Sequence, residues 1–455
     1  MRGEPDSDAG TTAIIGGGIS GVAAAVALID RGIPVTLFEA SDRLGGKIAE
    51  TTVDGIVCPT GPDAFLSRRP EVADLAKRLG LGAELIHPSA GSARIYRNGQ
   101  LHRLPPNVLG VPATAQLEAS GLISSAGAAR ASKDLTDIAP DPPGDETVGA
   151  LVRRRLGDEV LEYLVDPLLG GINAGDSDRL SLEHGVPQLA DLRRSGPSLM
   201  RAAADRIARA QKPSAPVFTG VKGGLNRLLD TAAETLDAAP NGQLRTGETA
   251  HLTRSGASWS VNGQNFDHVV CATPARSTAQ LIEDAAPAAA AELLSIPYAS
   301  VALTVLVLPE GTLPLDPTVS GVLVPRQCGL TVTAVSFASH KWPALAPDGR
   351  QILRVSVGRR TDTQWRARSD EALLTMIRAD LSTILGTPVP DSPAAITRWI
   401  EALPQFEVGH GDRIERLDAA IEAQQGLHLI GAWRDGLGLP ACVATAQDVV
   451  QGIPV

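Results

Sequence analysis

Aromatic residues are scarce in this 455-residue chain, with Phe, Trp and Tyr together at 3%. Stacking platforms for nucleobases are therefore few. Lys+Arg 41 against Asp+Glu 51 leaves a formal charge of −10, so nucleic acid is not an expected partner. Only four cysteines occur, Cys58, Cys271, Cys328 and Cys442, far apart and without a CxxC pair. That spacing argues against a disulfide framework and a metal site, and fits a reducing compartment. The eight histidines make no HxH or HExxH pattern, so no metal is expected. No apolar run approaches a membrane span: "VALTVLVL" at 301–308 has the length and β-branched character of a strand. The opening "MRGEPDSDAGTT" has no apolar signal core. The expectation is a cytoplasmic protein with no transmembrane segment.

What is present is a soluble globular composition, 43% hydrophobic and 20% charged, over a length that calls for two or three packed units. "TTAIIGGGISGVAAAVALIDRG" reads as strand, tight glycine turn and an alanine-rich helix closing at Gly32, and "PVTLFEA" as the next strand. "SARIYRNGQLHRL" reads as two strand runs around an Asn-Gly turn at 98–99. Residues 105–212 are Pro-punctuated and then helical, as in "TVGALVRRRLGDEVLEYLVDPLL", with "DIAPDPPGDET" as a surface loop. Strands are expected at 299–308, 321–324, 331–337 and 352–357, and a helix at 369–385. The layout is one nucleotide-binding domain built from separated segments, a sheet-rich second domain and a helical insertion.

Four glycine-bearing stretches carry the chemistry. Gly16, Gly18 and Gly21 form GxGxxG between an apolar strand and a helix. The first permits the turn, the second lets backbone approach a diphosphate, and the third packs helix on strand. Glu39, ending the second strand, is placed to accept from ribose hydroxyls. "EASDRLGGKI" then brings Arg43, Gly45, Gly46 and Lys47, adding backbone and positive charge for a diphosphate. That glycine doublet resembles the one in flavoproteins of the amine oxidase and protoporphyrinogen oxidase superfamily, and "TGPDAF" (Thr60–Phe65) is another glycine turn that could meet the flavin. Near the other end, "LIGAWRDGLGLPACVATA" reads as a strand to Ile430, a loop with Gly431, Gly436 and Gly438, and a helix with Pro440 in its first turn. A helix N-terminus aimed at an isoalloxazine would stabilise negative charge on reduction. The alternative is a glycine-rich helix entry without a ligand.

These motifs, with "GPDAFLSRRPEV", "LHRLPPNVLGVP", "DPLLGGINAGD", "GGLNRLL", "SHKWP" and "TRWIEALPQFEVGH", run in order along nearly the whole chain. The sequence resembles soluble bacterial protoporphyrinogen/coproporphyrinogen oxidases of the flavin amine oxidase superfamily. The resemblance implies an α/β fold: a Rossmann-like FAD domain of discontinuous segments (8–47, 213–276, 405–455), a mixed-sheet substrate domain (48–97, 277–404) and a helical insertion (98–212). It implies FAD as cofactor, held at Gly16, Gly17, Gly18, Ile19, Ser20, Gly21, Glu39, Ala40, Arg43, Lys47, Gly61, Pro62, Asp63, Ala64, Trp399, Leu437, Gly438 and Leu439, and more loosely at Ala250. Gly46 and Gly431 join these from their own turns.

The implied activity is oxygen-dependent oxidation of coproporphyrinogen III or protoporphyrinogen IX in haem biosynthesis. Its implied partners are a tetrapyrrole, O2 and transient contacts with enzymes of the same pathway. No side-chain acid/base dyad is evident, in keeping with redox chemistry that belongs to the cofactor. Arg68 and Arg69 are candidates for substrate propionates, or else a solvated pair ahead of a helix. Similar proteins usually carry an aromatic where Asn173 stands, which makes Asn173 a candidate cavity residue; Cys58-Pro59 is a second departure. Two other readings stay open: a paralogue acting on a different cyclic or amine substrate, and a flavin-binding partner protein without turnover.

Overall fold

The computed structural model describes residues 10–89, 91–137, 141–209, 216–256 and 258–454. At its centre is a parallel sheet of five strands, in spatial order Gly242–Thr246, Val35–Glu39, Thr12–Ile15, His268–Cys271 and Leu427–Leu429. Thr12 is in register with both Val35 and His268, and Cys271 with Leu429. All four residues of the first strand are buried, as a strand covered on both faces must be. Alternation then sorts its side chains. Ile14 joins a core with the first helix (Ile19–Asp30), the helix Asn226–Ala238 and the last helix (Leu439–Gln451). Ala13 and Ile15 join another with the antiparallel strands Leu252–Ser255, Ser258–Val261 and Gln264–Phe266 and the helices Ala275–Ile282, Pro287–Leu294 and His410–Ile421. Helix Glu71–Arg78 buries Val72, Leu75 and Ala76 in the first of these cores.

A seven-stranded mixed sheet runs in the order Ala394–Pro404, Tyr298–Leu308, Gln351–Val357, Val332–Phe337, Val319–Leu323, Ser92–Arg97 and Gln100–Arg103. Its pairings are antiparallel except that of Val319–Leu323 with Ser92–Arg97. The expected hairpin is there: Asn98 and Gly99 both adopt positive φ, 50° and 75°, as a two-residue hairpin turn requires. Helix Asp370–Leu385 lays Leu373, Ile377, Leu381 and Ile384 on this sheet, a helical 3–4 spacing, and the Ser369 side chain accepts from the Ala372 amide to start it.

The helical part follows a similar logic. Thr147 caps Val148–Leu156 by accepting from the Ala150 amide. One π-helical turn, Leu161–Val165, then leads into Asp166–Asn173. Leu151, Leu164, Leu169, Leu189 and Ala203 fill a core that also takes in Ile95 of the mixed sheet. Within the expected "DIAPDPPGDET" loop, 138–140 lie outside the described residues. Asp145 is tied down, accepting from Ser181 Oγ at 2.6 Å and the Glu183 amide at 3.1 Å. No helix among the described residues is long and apolar enough to cross a membrane.

Candidate active site

The first strand hands over to its helix through Gly16, at φ 109°. The four glycines of this turn differ in what constrains them. A Cβ on Gly21 would lie 1.9 Å from the Gly16 carbonyl oxygen, and one on Gly17 would lie 2.4 Å from Leu44. A Cβ on Gly18 would meet nothing within 4 Å. Gly18 is also the helix N-cap and brings no side chain to cap it. Open space thus faces an uncapped helix N-terminus, where free N–H groups and the dipole favour an anion.

The second glycine pair closes on the first turn. The Gly45 amide donates to the Gly17 carbonyl at 2.8 Å, and Gly18 and Gly45 form an isolated parallel bridge. Gly45 and Gly46 both take positive φ. Arg43 holds the loop together, its Nη1 donating to the Leu44 and Ile48 carbonyls at 3.1 and 3.2 Å. Lys47 is half-buried, with no acceptor or ion-pair partner among the described residues. Burial lowers its pKa, partly opposed by Cys442. A crowded ammonium without an acid partner suits an anionic ligand. Glu39 takes three donors: the Gly17 amide at 2.7 Å on one oxygen, and the Ser41 amide and hydroxyl at 2.8 and 2.7 Å on the other. A carboxylate has about four acceptor positions, so capacity for a ribose hydroxyl remains. Exposed Ala40 follows it. The segment leading to Ala250 runs alongside, with the Gly247 and Glu248 amides donating to Ser41 and Glu39 carbonyls.

The far glycine turn meets the first across Ala272 and Thr273. A Cβ on Gly16 would touch both residues at 3.0–3.1 Å. Trp433, beside Gly431, donates its indole N–H to the Thr273 carbonyl at 3.2 Å. Leu437 is half-buried, and exposed Gly438 is the N-cap of the last helix, which starts at Leu439 and likewise has no side-chain cap. Cys442 of this helix is buried against the first, close to Ser20 and Lys47. Two bare helix N-termini therefore flank one cation, the geometry a dinucleotide needs.

The Thr60–Ala64 turn is fastened to the mixed sheet by Trp399, which the resemblance had implied, and by Arg354, Lys341 and Trp342, which sequence reasoning missed. Trp399 donates to the Thr60 carbonyl at 2.6 Å, and Arg354 to the Gly61 carbonyl. The Asp63 carboxylate receives Lys341 and Trp342 Nε1, each at 3.0 Å, and Arg354 at 2.9 Å. Burial alone would raise this carboxyl; Arg354 and Lys341, with hydrogen bonds from Trp342 and Lys341, overcome it and hold the pKa at about 2. Pro62 and Ala64 are half-buried.

The substrate candidates sit apart from this network. Arg69 is paired with Glu71 at 2.6 Å at the head of its helix, which fits the solvated-pair alternative. Arg68 is exposed and has no partner among the described residues. Asn173 is buried at the end of its helix; its side-chain oxygen accepts from the Gly175 amide at 3.0 Å and its carbonyl from Gln405 Nε2 at 2.9 Å. That second bond joins the "DPLLGGINAGD" and "TRWIEALPQFEVGH" stretches.

His410, 1% exposed, anchors the terminal loop by donating from Nε2 to the Arg434 carbonyl at 3.1 Å, while its Nδ1 has no partner among the described residues. Burial pushes its pKa down to about 4. Arg434 and Asp435 oppose that fall, and Arg413 and His184 reinforce it. A histidine depressed from 6.5 binds its proton earlier in the unfolded chain. Stability is therefore flat above pH 6.5 and falls as pH drops from 6.5 to 4, by about 3 kcal/mol for this residue. His428, also held at about 4, adds in the same direction. Denaturant melts at pH 7.5 and 5 on the parent and on His410→Gln should show the variant losing less; equal losses would remove the assignment.

A parallel α/β sheet with a GxGxxG turn, a second glycine turn closing on it and an antiparallel-rich second sheet defines a flavin amine oxidase-like protein. Residues 19–453 match the flavin-containing amine oxidoreductase family, and the chain belongs to it. It is 33% identical over 457 residues to a coproporphyrinogen III oxidase of Bacillus subtilis, covering 96% of each chain. It is likewise 33% identical over 455 residues to the Mycobacterium leprae coproporphyrinogen III oxidase, covering 97% of each. A crystal structure from Exiguobacterium sp. 255-15, assigned as a protoporphyrinogen oxidase, superposes with a TM-score of 0.87 at 30% identity over 99% of both chains. The protein is a flavin-dependent oxidase and its cofactor is FAD.

Proposed function

We propose that this protein oxidises coproporphyrinogen III to coproporphyrin III with O2 as the electron acceptor. The carrying observation is end-to-end similarity, at 33% identity, to relatives that bear that activity as their name. Bound FAD would supply the two-electron acceptor, reoxidised by O2. Six electrons leave the macrocycle in three such rounds, and three O2 become three peroxides.

The chain's task is binding and orientation. The Gly16–Gly21 turn and Lys47 hold the diphosphate, and Glu39, with Ala40 and Ala250 beside it, holds the adenosine ribose. Arg43 and Gly46 shape the loop between them. The Gly61–Ala64 turn, Trp399 and the Gly431–Leu439 stretch hold the ring. The FAD-binding unit comprises 8–47, 213–276 and 405–455, with helix Glu71–Arg78 leaning on it; 48–97 and 277–404 form the substrate unit and 98–212 the helical one. Asn173 is buried, and its side-chain oxygen accepts from the Gly175 amide at the end of its own helix.

The test is anaerobic mixing of the yellow holoprotein with coproporphyrinogen III, followed by air. Bleaching near 450 nm and then porphyrin fluorescence is expected. A flavin that stays oxidised on mixing would refute the reading.

A further inference from the structure

At one end of the mixed sheet the segments following Val319–Leu323 and Gln351–Val357 enclose a cleft of about 320 Å³. Arg326, Arg359, Arg368, Thr331, Thr361 and Asp362 are among its lining residues. Arg359 is 7% exposed. Its Nη2 donates to the Val324 carbonyl at 2.6 Å, its Nε has no partner, and no carboxylate lies within ion-pair distance of it among the described residues. Of the other buried arginines, Arg155 and Arg354 each have a carboxylate at 2.9 Å, while Arg94 has none among the described residues and donates to Ser92 Oγ at 2.8 Å instead. None of these three lines this cleft.

The lining residues themselves carry three arginines, Arg326, Arg359 and Arg368, against one carboxylate, Asp362. Arg326 is answered by Asp166 at 3.0 Å and Asp176 at 3.5 Å. Both of those carboxylates stand behind the wall against Arg326; on the wall itself Arg359 and Arg368 face Asp362, with Asp166 drawing on Arg359 from behind. Arg368 is exposed and its guanidinium has no hydrogen-bond or ion-pair partner among the described residues. Burial, and then Arg326, disfavour the charge on Arg359, against the pull of Asp166, Asp362 and Cys328. A guanidinium does not shed its proton near neutral pH, so it stays as a buried cation short of a counter-charge. A planar carboxylate matches its fork of donors.

We propose that this cleft is a carboxylate-binding site, with Arg359 as the buried anchor and Arg368 at the mouth. Two sources present that chemistry: a free small dicarboxylic acid, and a propionate arm of a tetrapyrrole. The second rests on the function proposed above; the first does not.

The test uses FAD-loaded protein, with glutarate titrated by calorimetry and coproporphyrin III by fluorescence. The variants are Arg359→Met, Arg368→Ala and Asp362→Asn. Met fills the Arg359 space without charge, and exposed Arg368 gives a second variant if the first fails to fold.

For whichever probe uses the site, removing either arginine weakens binding roughly tenfold or more, and Asp362→Asn tightens it several-fold. Changes confined to glutarate identify a free acid. Changes confined to coproporphyrin, with coproporphyrinogen turnover intact in the parent, identify the propionate arm. Loss of turnover in the parent with the glutarate effects preserved would sink the function and spare the site. Affinities for both probes that are unchanged across all three variants would overturn the site.

Discussion

Gly21→Ala should emerge from purification colourless and melt well below the parent, whereas Gly18→Ala should lose its flavin and still fold. The two glycines lie three residues apart at the start of one helix, yet they answer to different constraints. At Gly21 the added Cβ would sit 1.9 Å from the Gly16 carbonyl oxygen and 3.1 Å from its carbon. That neighbour is backbone, so no side chain can swing away. Helix Ile19–Asp30 must back off the strand that feeds it, disturbing a core in which Val22, Ala24, Ala25 and Leu28 are fully buried. Overpacking of this kind costs about 1–3 kcal/mol where side chains can yield, and more where they cannot.

At Gly18 the protein offers no obstacle, and the backbone φ of −70° suits any residue. Alanine is a poorer N-cap, so the apoprotein should lose no more than about 1 kcal/mol. The methyl group would instead occupy the space where a diphosphate approaches the helix. The 450-to-280 nm absorbance ratio and the apoprotein melting point separate the two cases. A yellow Gly18→Ala protein with parental flavin affinity would contradict the diphosphate assignment.

The parts of the fold that were legible in the sequence are those governed by local rules. The strand–turn–helix at 12–30, the Asn98-Gly99 hairpin and the helix predicted at 369–385, found at 370–385, follow from periodicity, turn chemistry and capping. The site was legible where one short segment contains both the constraint and the residue meeting it, as in the Gly16–Gly21 turn. It was not legible where a residue's partner lies far along the chain. Asp63 reads as part of a turn, but its cations arrive from 278 and 291 positions away. "SHKWP" could be recognised as a motif without disclosing that its Lys341 and Trp342 bind that aspartate. Gln405 stands in the "TRWIEALPQFEVGH" stretch, but only packing reveals the Asn173 carbonyl beside it, and Arg359 carries no sequence signal at all. Arg69 shows the opposite: its partner Glu71 was two residues away and in view, whereas its alternative as a propionate contact came only from the resemblance.

Replacing Asp63 with asparagine should destabilise the protein by about 3–5 kcal/mol and lower its melting point by roughly 5 °C or more. The amide can still accept from Trp342, so the turn keeps one of its fastenings. Arg354 and Lys341, however, would face each other across the buried turn with no counter-charge. Removing one cation should relieve part of that cost. Asp63→Asn with Lys341→Met is therefore expected to recover at least about 1 kcal/mol, a coupling that a double-mutant cycle measures directly.

The pH dependence has a matching sign. A carboxyl held at about 2 against 3.8 when unfolded contributes its full stabilisation above pH 3.8, about 2 kcal/mol, and loses it as pH falls toward 2. This window lies below that of His410, so acid titration of the parent should show two successive declines, and the asparagine variant should lack the lower one. The same change should loosen FAD, since Asp63 ties the Gly61–Ala64 turn to the sheet that carries Arg354. An asparagine variant that melts within a degree of the parent and holds its flavin as tightly would show that Trp399 and the backbone of the turn suffice to position it.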